Sequence, residues 1–259
     1  MKVWEMILLG FIQGMTEFLP VSSSGHLLIA QKLLGVSSDG YMFYNVMLHI
    51  GTLIPVCIIF FKDILGLFKK PFNKLWYLIL ATIPAGVMGI AFKVFNLEEM
   101  LFTSYIPLII CYLITAIVLL LAERTARTTA VYKPLNAKRA LGMGLAQGIG
   151  VFPGISRSGI TISGGTFLGL DRDTTASFSF LMSIPIILAS ALLEGYSAIK
   201  GDIIVDALPL ICGVISSAVF GYIAIKFMLK LIKKANYKWF SLYIIILIIT
   251  LVILECLGI

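Results

Sequence analysis

Charge is what this chain has least of. Asp, Glu, Lys and Arg make up 13% of its 259 residues, against 59% hydrophobic residues, and the mean hydropathy is +1.03. That balance excludes an ordinary water-soluble domain. Cysteine is scarce too. Cys57, Cys111, Cys212 and Cys256 stand singly in apolar runs without CxxC or Cys/His spacing, which argues against a disulfide framework or a zinc site. The net charge of +7 lacks the aromatic-interleaved basic stripe of a nucleic-acid surface, so no nucleic acid is expected as partner. Met1 to Leu19 has no small-residue cleavage site and carries Glu5, Gln13 and Glu17, so it reads as part of the fold and not as a removable signal peptide.

What remains is apolar sequence in long runs. A helix crosses a bilayer in roughly 20 apolar residues, because backbone groups in hydrocarbon must bond within their own segment. Six runs are long enough: Tyr41 to Phe61, Asn73 to Phe92, Thr103 to Ala122, Thr174 to Ser197, Ile203 to Met228 and Trp239 to Leu257. Val3 to Gly35 and Ala137 to Leu170 are also apolar, but each is broken near its middle, at Pro20 to Gly25 and at Pro153 to Gly159. Their halves are too short to cross. They read as re-entrant helix-loop-helix hairpins, tolerated where the loop lines a cavity in the protein. The expected fold is an all-α integral membrane protein with six transmembrane helices and two re-entrant hairpins, forming one membrane domain over 1–259.

Sidedness follows from the basic residues, which favour cytoplasmic loops. Fifteen of the 20 lysines and arginines fall on one side, in the loops around Lys62 to Lys74, Arg124 to Arg139 with Arg172, and Lys226 to Lys238. Both termini are then outside. The first hairpin enters from outside and the second from the cytoplasm.

The hairpins also match each other at an offset of 134 without gaps. Gly10, Gln13, Gly14, Phe18, Ser22, Ser24, Gly25, Leu34, Gly35 and Asp39 recur as Gly144, Gln147, Gly148, Phe152, Ser156, Ser158, Gly159, Leu168, Gly169 and Asp173. Composition alone would give about two or three such identities, so the chain reads as an internal repeat, roughly 1–122 and 137–257. Opposite entry makes it an inverted-topology repeat, whose broken helices are expected to meet near the midplane around a ligand.

Each hairpin's second helix starts inside the membrane, where its free N–H groups and positive dipole end favour an anion. Ser22 and Ser156 are natural N-caps there. The sharper signal is where the repeat departs from itself: Glu17 stands opposite Val151, Ser23 opposite Arg157, and His26 opposite Ile160. Charge at membrane depth costs at least ~2.5 kcal/mol, which marks Glu17 and Arg157 as functional candidates. Arg157 can present a planar fork of donors to phosphoryl oxygens, while Ser23 and His26, three apart at a helix start, can act as nucleophile and base. Glu17 can hold the imidazole or bind a divalent cation; both roles stay open. His49, amid Met47 to Ile50, reads as a packed or helix-bonded histidine.

At these residues the chain resembles the bacterial undecaprenyl-diphosphatase family, known also from bacitracin resistance. The resemblance covers essentially the whole chain. One family motif is met from Gln13 through Glu17 to His26, and a second by Pro153 to Thr161. It implies hydrolysis of undecaprenyl diphosphate to the monophosphate and phosphate at the outer face of the bacterial plasma membrane, recycling the lipid carrier for peptidoglycan synthesis. It also implies antibiotic resistance, because bacitracin competes indirectly by binding the same polyprenyl diphosphate. Glu17, Ser23, His26 and Arg157 are then expected to be catalytic. Gln13, Ser22, Ser24, Gly25, Gly154, Ser156, Ser158, Gly159 and Thr161 are expected to bind substrate among the membrane lipids. The resemblance further implies a divalent cation, Mg or Ca, with Glu17 as a ligand, although Gln13 stands where many members have Glu. A homodimer is left open. Ser24-Gly25-His26 also occurs in another lipid phosphatase superfamily, but Ser163 stands where that set needs a histidine. The rival class is a transporter or lipid flippase, since inverted hairpins are transporter architecture.

Overall fold

The computed structural model describes residues 1–35, 41–95, 104–128, 131–200, 206–233 and 237–257. Their regular structure is all helical, with no strand among the described residues. In chain order the helices are α1 (Val3–Glu17), α2 (Ser23–Leu34), α3 (Tyr41–Ile59), α4 (Phe61–Leu67), α5 (Asn73–Val94), α6 (Ile106–Thr128), α7 (Ala137–Ile149), α8 (Arg157–Phe167), α9 (Arg172–Lys200), α10 (Ala207–Lys233) and α11 (Lys238–Leu257). Five of these are long and apolar enough to cross a membrane, or six if α3 and α4 form one bent span. The chain is an all-α, multi-pass membrane protein. Its lipid side is a belt of exposed apolar side chains such as Trp76, Val87, Leu192 and Ile246.

Both expected hairpins form, α1–α2 and α7–α8, with breaks at the Pro/Ser/Gly clusters. Several span boundaries differ from the sequence expectation: the spans expected to end at Phe92, Ser197 and Met228 run on to Val94, Lys200 and Lys233, and three further differences have a visible cause. The first span ends at Ile59, and the chain turns by 82° into α4, where Lys62 and Asp63 reach solvent-exposed positions. α6 runs on to Thr128, past Ala122. Its buried Glu123 is neutralised one turn later by Arg127 at 2.8 Å and accepts the Tyr237 N–H at 2.9 Å, so these charges do not end the helix. α9 also starts earlier, at Arg172, where the Asp171 carboxylate accepts the Thr174 N–H at 2.9 Å. The expected span starts at Thr103 and Ile203 lie outside the described residues.

The two hairpins are held by close backbone packing. α1 lies against α10 and α7 against α5, and these are the two most extensive helix pairings. A Cβ on Gly14 would lie 2.7 Å from the Ser217 carbonyl oxygen, and one on Gly144 would lie 2.5 Å from that of Ala81. Only glycine permits such approach, the usual basis of helix association where lipid removes the hydrophobic drive. Hydroxyls add cross-helix bonds: Ser216 donates to the Ile7 carbonyl at 2.9 Å and Ser217 to that of Leu48 at 2.6 Å. Phe18 and Phe152, 134 positions apart, each pack edge-on against another ring, Phe180 and Phe92, with centroids 5.6 Å apart. These contacts fix where each helix break sits.

Candidate active site

The two breaks meet. Ser158, at the start of α8, donates to the Leu19 carbonyl at 3.0 Å, in the turn that follows α1. Ser22 caps α2, its hydroxyl accepting the Gly25 N–H at 3.4 Å, and Ser156 caps α8 by accepting the Gly159 N–H at 3.1 Å. Ser22 has φ +67°, a conformation that costs a non-glycine residue about 1–2 kcal/mol. Its surroundings hold it there, as is common at functional sites. Thr115 of α6 braces the second break by accepting the Ser156 N–H at 3.1 Å and donating to the Gly154 carbonyl at 3.3 Å.

Glu17 is the hub where the hairpins join. Buried to 5% exposure, its Oε1 pairs with Nη2 of Arg157 from the other hairpin. Its Oε2 accepts from Ser23 Oγ at 2.5 Å and from Gln13 Nε2 at 3.0 Å. His49 of α3 completes the shell, with Nε2 3.4 Å from the same oxygen. His49 Nδ1 gives its hydrogen to the Asn45 carbonyl at 2.8 Å. That bond turns Nε2 toward the Glu17 carboxylate. A carboxylate so engaged by Ser23 is placed to take the serine proton.

Glu17, Ser23, His49 and Arg157 line one end of a cavity of about 390 Å³. Glu17, Ser22, Ser23, Ser24, Asn45, His49, Gln147, Ser156 and Arg157 form its polar end. Its remaining wall is largely apolar, from Ala85, Gly86, Gly89 and Ile90 of α5 and Ile186, Ile187, Ala189 and Leu193 of α9. Gly86 and Gly89 face open space where a Cβ would stand. One space thus offers both an anion site and a hydrocarbon wall.

Among the residues expected from sequence, Glu17, Ser22, Ser23, Ser24, Ser156 and Arg157 come together in this cavity. Gln13 stands behind Glu17. Gly25, Gly154, Ser158, Gly159 and Thr161 shape the breaks without lining the cavity. Gly154 takes φ +93°, and Thr161 donates back to the Arg157 carbonyl at 2.8 Å and meets Ser179 at 2.6 Å.

His26 departs from the expectation of a base for Ser23. Its Nδ1 lies 2.7 Å from the Ser22 carbonyl oxygen, with the Tyr112 hydroxyl at 3.1 Å, and its Nε2 lies 2.7 Å from the Tyr243 hydroxyl. A carbonyl only accepts, so Nδ1 carries the hydrogen and Nε2 accepts from Tyr243. Neither nitrogen is left for Ser23, whose hydroxyl is bound to Glu17. The ring ties the Ser22 turn to α6 and α11. His49, read from sequence as a packed or helix-bonded residue, does bond its helix but also faces Glu17. Asn45, His49 and Thr52 recur at helical spacing in an otherwise apolar run, a polar stripe that could have flagged it.

The divalent cation that the resemblance implies finds few donors in this cavity. Among the described residues Glu17 is the one carboxylate lining the cavity, and both of its oxygens are engaged. Among the described residues no group of three His, Cys, Asp or Glu side chains is gathered. Mg and Ca take six or more oxygen ligands, so these side chains do not fit a resident site built by the protein alone.

Comparison with known proteins gives a consistent picture. The profile of the bacitracin resistance protein BacA family matches residues 6–250. An undecaprenyl-diphosphatase of Carboxydothermus hydrogenoformans is 41% identical, covering 100% of this chain and 99% of that protein. One from Methanosphaera stadtmanae is 38% identical over 98% of this chain and 99% of its own. One from Halothermothrix orenii is 41% identical over 98% of each.

Proposed function

This chain belongs to the bacitracin resistance protein BacA family, and on that premise we propose that it hydrolyses undecaprenyl diphosphate to undecaprenyl phosphate and inorganic phosphate. The relatives named above carry that activity in their names. The observation that supports it most is the 2.5 Å bond from Ser23 Oγ to Glu17 Oε2 at the polar end of a cavity whose other wall is apolar. A diphosphate on a long prenyl chain is the substrate class with both chemistries in one molecule. The groove between α5 and α9 suits the chain, and the helix breaks suit the diphosphate.

In the proposed reaction Ser23 Oγ attacks the terminal phosphorus while its proton passes to Glu17. The bond from that phosphorus to the bridging oxygen breaks, and the lipid monophosphate leaves. Arg157 and the N-termini of α2 and α8 offset the charge on the phosphoryl oxygens. Water then attacks the phosphoserine, phosphate leaves, and Ser23 Oγ regains a proton through Glu17. A divalent cation that came bound to the diphosphate would supply further charge neutralisation. A transporter or flippase would leave the Ser23–Glu17 pair without a task.

The reaction at the outer face of the plasma membrane would return the lipid carrier to peptidoglycan synthesis. Bacitracin, by binding the diphosphate, would withhold the substrate. Phosphate release from a long polyprenyl diphosphate by the purified protein, with and without Arg157, tests the proposal. Steady release that collapses in the Arg157→Ala protein is expected, and no release from the intact protein would overturn it.

A further inference from the structure

Gln13 and Gln147 are the same residue at the same place in the two repeats, yet they are used differently. Gln13 gives its amide to Glu17, four residues on, at 3.0 Å. Four residues after Gln147 stands Val151, whose side chain can accept nothing. Gln147 is 1% exposed, and among the described residues neither its Nε2 nor its Oε1 has a hydrogen-bond partner. A buried amide without partners is uncommon and calls for a cause. Gln147 also lines the cavity beside Glu17, Ser23 and Arg157.

Arg157 presents a second unsatisfied group on the same wall. Its Nη2 is bound by Glu17, but its buried Nη1 has no partner among the described residues. The two residues are brought together at Gly150, where a Cβ would lie 3.0 Å from Arg157 Cα and 3.2 Å from the Gln147 carbonyl oxygen. The last turn of α7 therefore abuts the first turn of α8. Two unpartnered buried donor groups on adjoining helix ends suit a ligand with several closely spaced acceptor oxygens.

We infer that Gln147 is a substrate-binding residue whose Nε2 donates to a phosphoryl oxygen of the diphosphate, alongside Nη1 of Arg157. This rests on the reading of the chain as a polyprenyl-diphosphate phosphatase. The duplicated glutamine has thus diverged in role, one copy orienting the carboxylate and the other gripping the substrate.

The test compares Gln147→Leu, which keeps the size and removes the amide, with Gln147→Glu, which puts a carboxylate against the phosphate. Binding of farnesyl diphosphate is measured in a Ser23→Ala background, and kcat/KM for phosphate release is measured with Ser23 intact. Gln147→Leu is expected to weaken both on the order of tenfold or more. Its unfolding temperature should not fall, because an unsatisfied buried amide has been removed. Gln147→Glu should weaken binding further. Wild-type binding and kcat/KM in Gln147→Leu, or undiminished binding in Gln147→Glu if the leucine protein does not fold, would overturn the assignment. Absence of phosphate release from the intact protein would instead count against the enzymatic reading, and the binding comparison would still decide the role of Gln147.

Discussion

Glu17 and Ser23 lie on opposite sides of the first helix break, six residues apart, and the serine hydroxyl donates to the carboxylate at 2.5 Å. The turn Phe18 to Ser22 folds the end of α1 back on the start of α2, so one hairpin supplies both nucleophile and base. Glu17→Gln keeps the shape and can still hydrogen-bond Ser23, but it cannot take a proton. Turnover is expected to fall about 10²–10⁴-fold, measured as phosphate release from protein that elutes as folded. Turnover near wild type would assign the base elsewhere.

Arg157→Lys should not behave as a conservative change. The guanidinium serves two directions, with Nη2 on Glu17 and Nη1 free for the substrate, whereas an ammonium is a single point charge. A loss of kcat/KM on the order of tenfold or more is expected. Full activity would reduce Arg157 to a structural cation.

His26 separates a structural role from a catalytic one. If it holds the Ser22 turn through Nδ1, His26→Asn, whose side-chain amide can donate to the same carbonyl, should keep turnover within about tenfold of wild type. Tyr243→Phe should cost about 1 kcal/mol of stability, the worth of one hydrogen bond, with little effect on turnover. A loss in His26→Asn as deep as that of a missing nucleophile would restore histidine as the base.

The hairpins and their caps were legible in the sequence because local chemistry dictates them. Short apolar halves around Pro, Ser and Gly cannot span, and the 134-residue repeat shows the pattern twice. The identity of the base was not legible. Ser23 and His26 are close in sequence, but Ser22 takes a positive φ and its carbonyl captures the imidazole. The bonds from Tyr112 and Tyr243 come from helices 86 and 217 residues away. His49 was missed for the same reason, since its contact with Glu17 exists only once α3 packs on α1. The apolar cavity wall was hidden because Ile90 or Leu193 on a membrane helix reads as lipid-facing until the partner helix is in place.

The placement of basic residues predicts that the Lys62 to Lys74 loop is cytoplasmic. A cysteine introduced near Lys70, in a protein without its native cysteines, should resist an impermeant thiol reagent in intact cells and react after lysis. Labelling of intact cells would reverse the topology.

The account depends most on Ser23. Ser22 and Ser24 match Ser156 and Ser158 of the second hairpin, and in both hairpins the two hydroxyls lie 3.3 Å apart at the helix start, so they serve the cap and the turn. Replacing a capping serine by alanine costs about 1 kcal/mol of stability, so Ser22→Ala and Ser24→Ala should be weakened but active. The decisive measurement is phosphate release from undecaprenyl diphosphate by purified, folded Ser23→Ala protein. A fall of at least ~10³-fold is predicted, whereas turnover within about tenfold of wild type would contradict a serine nucleophile and leave direct attack by water.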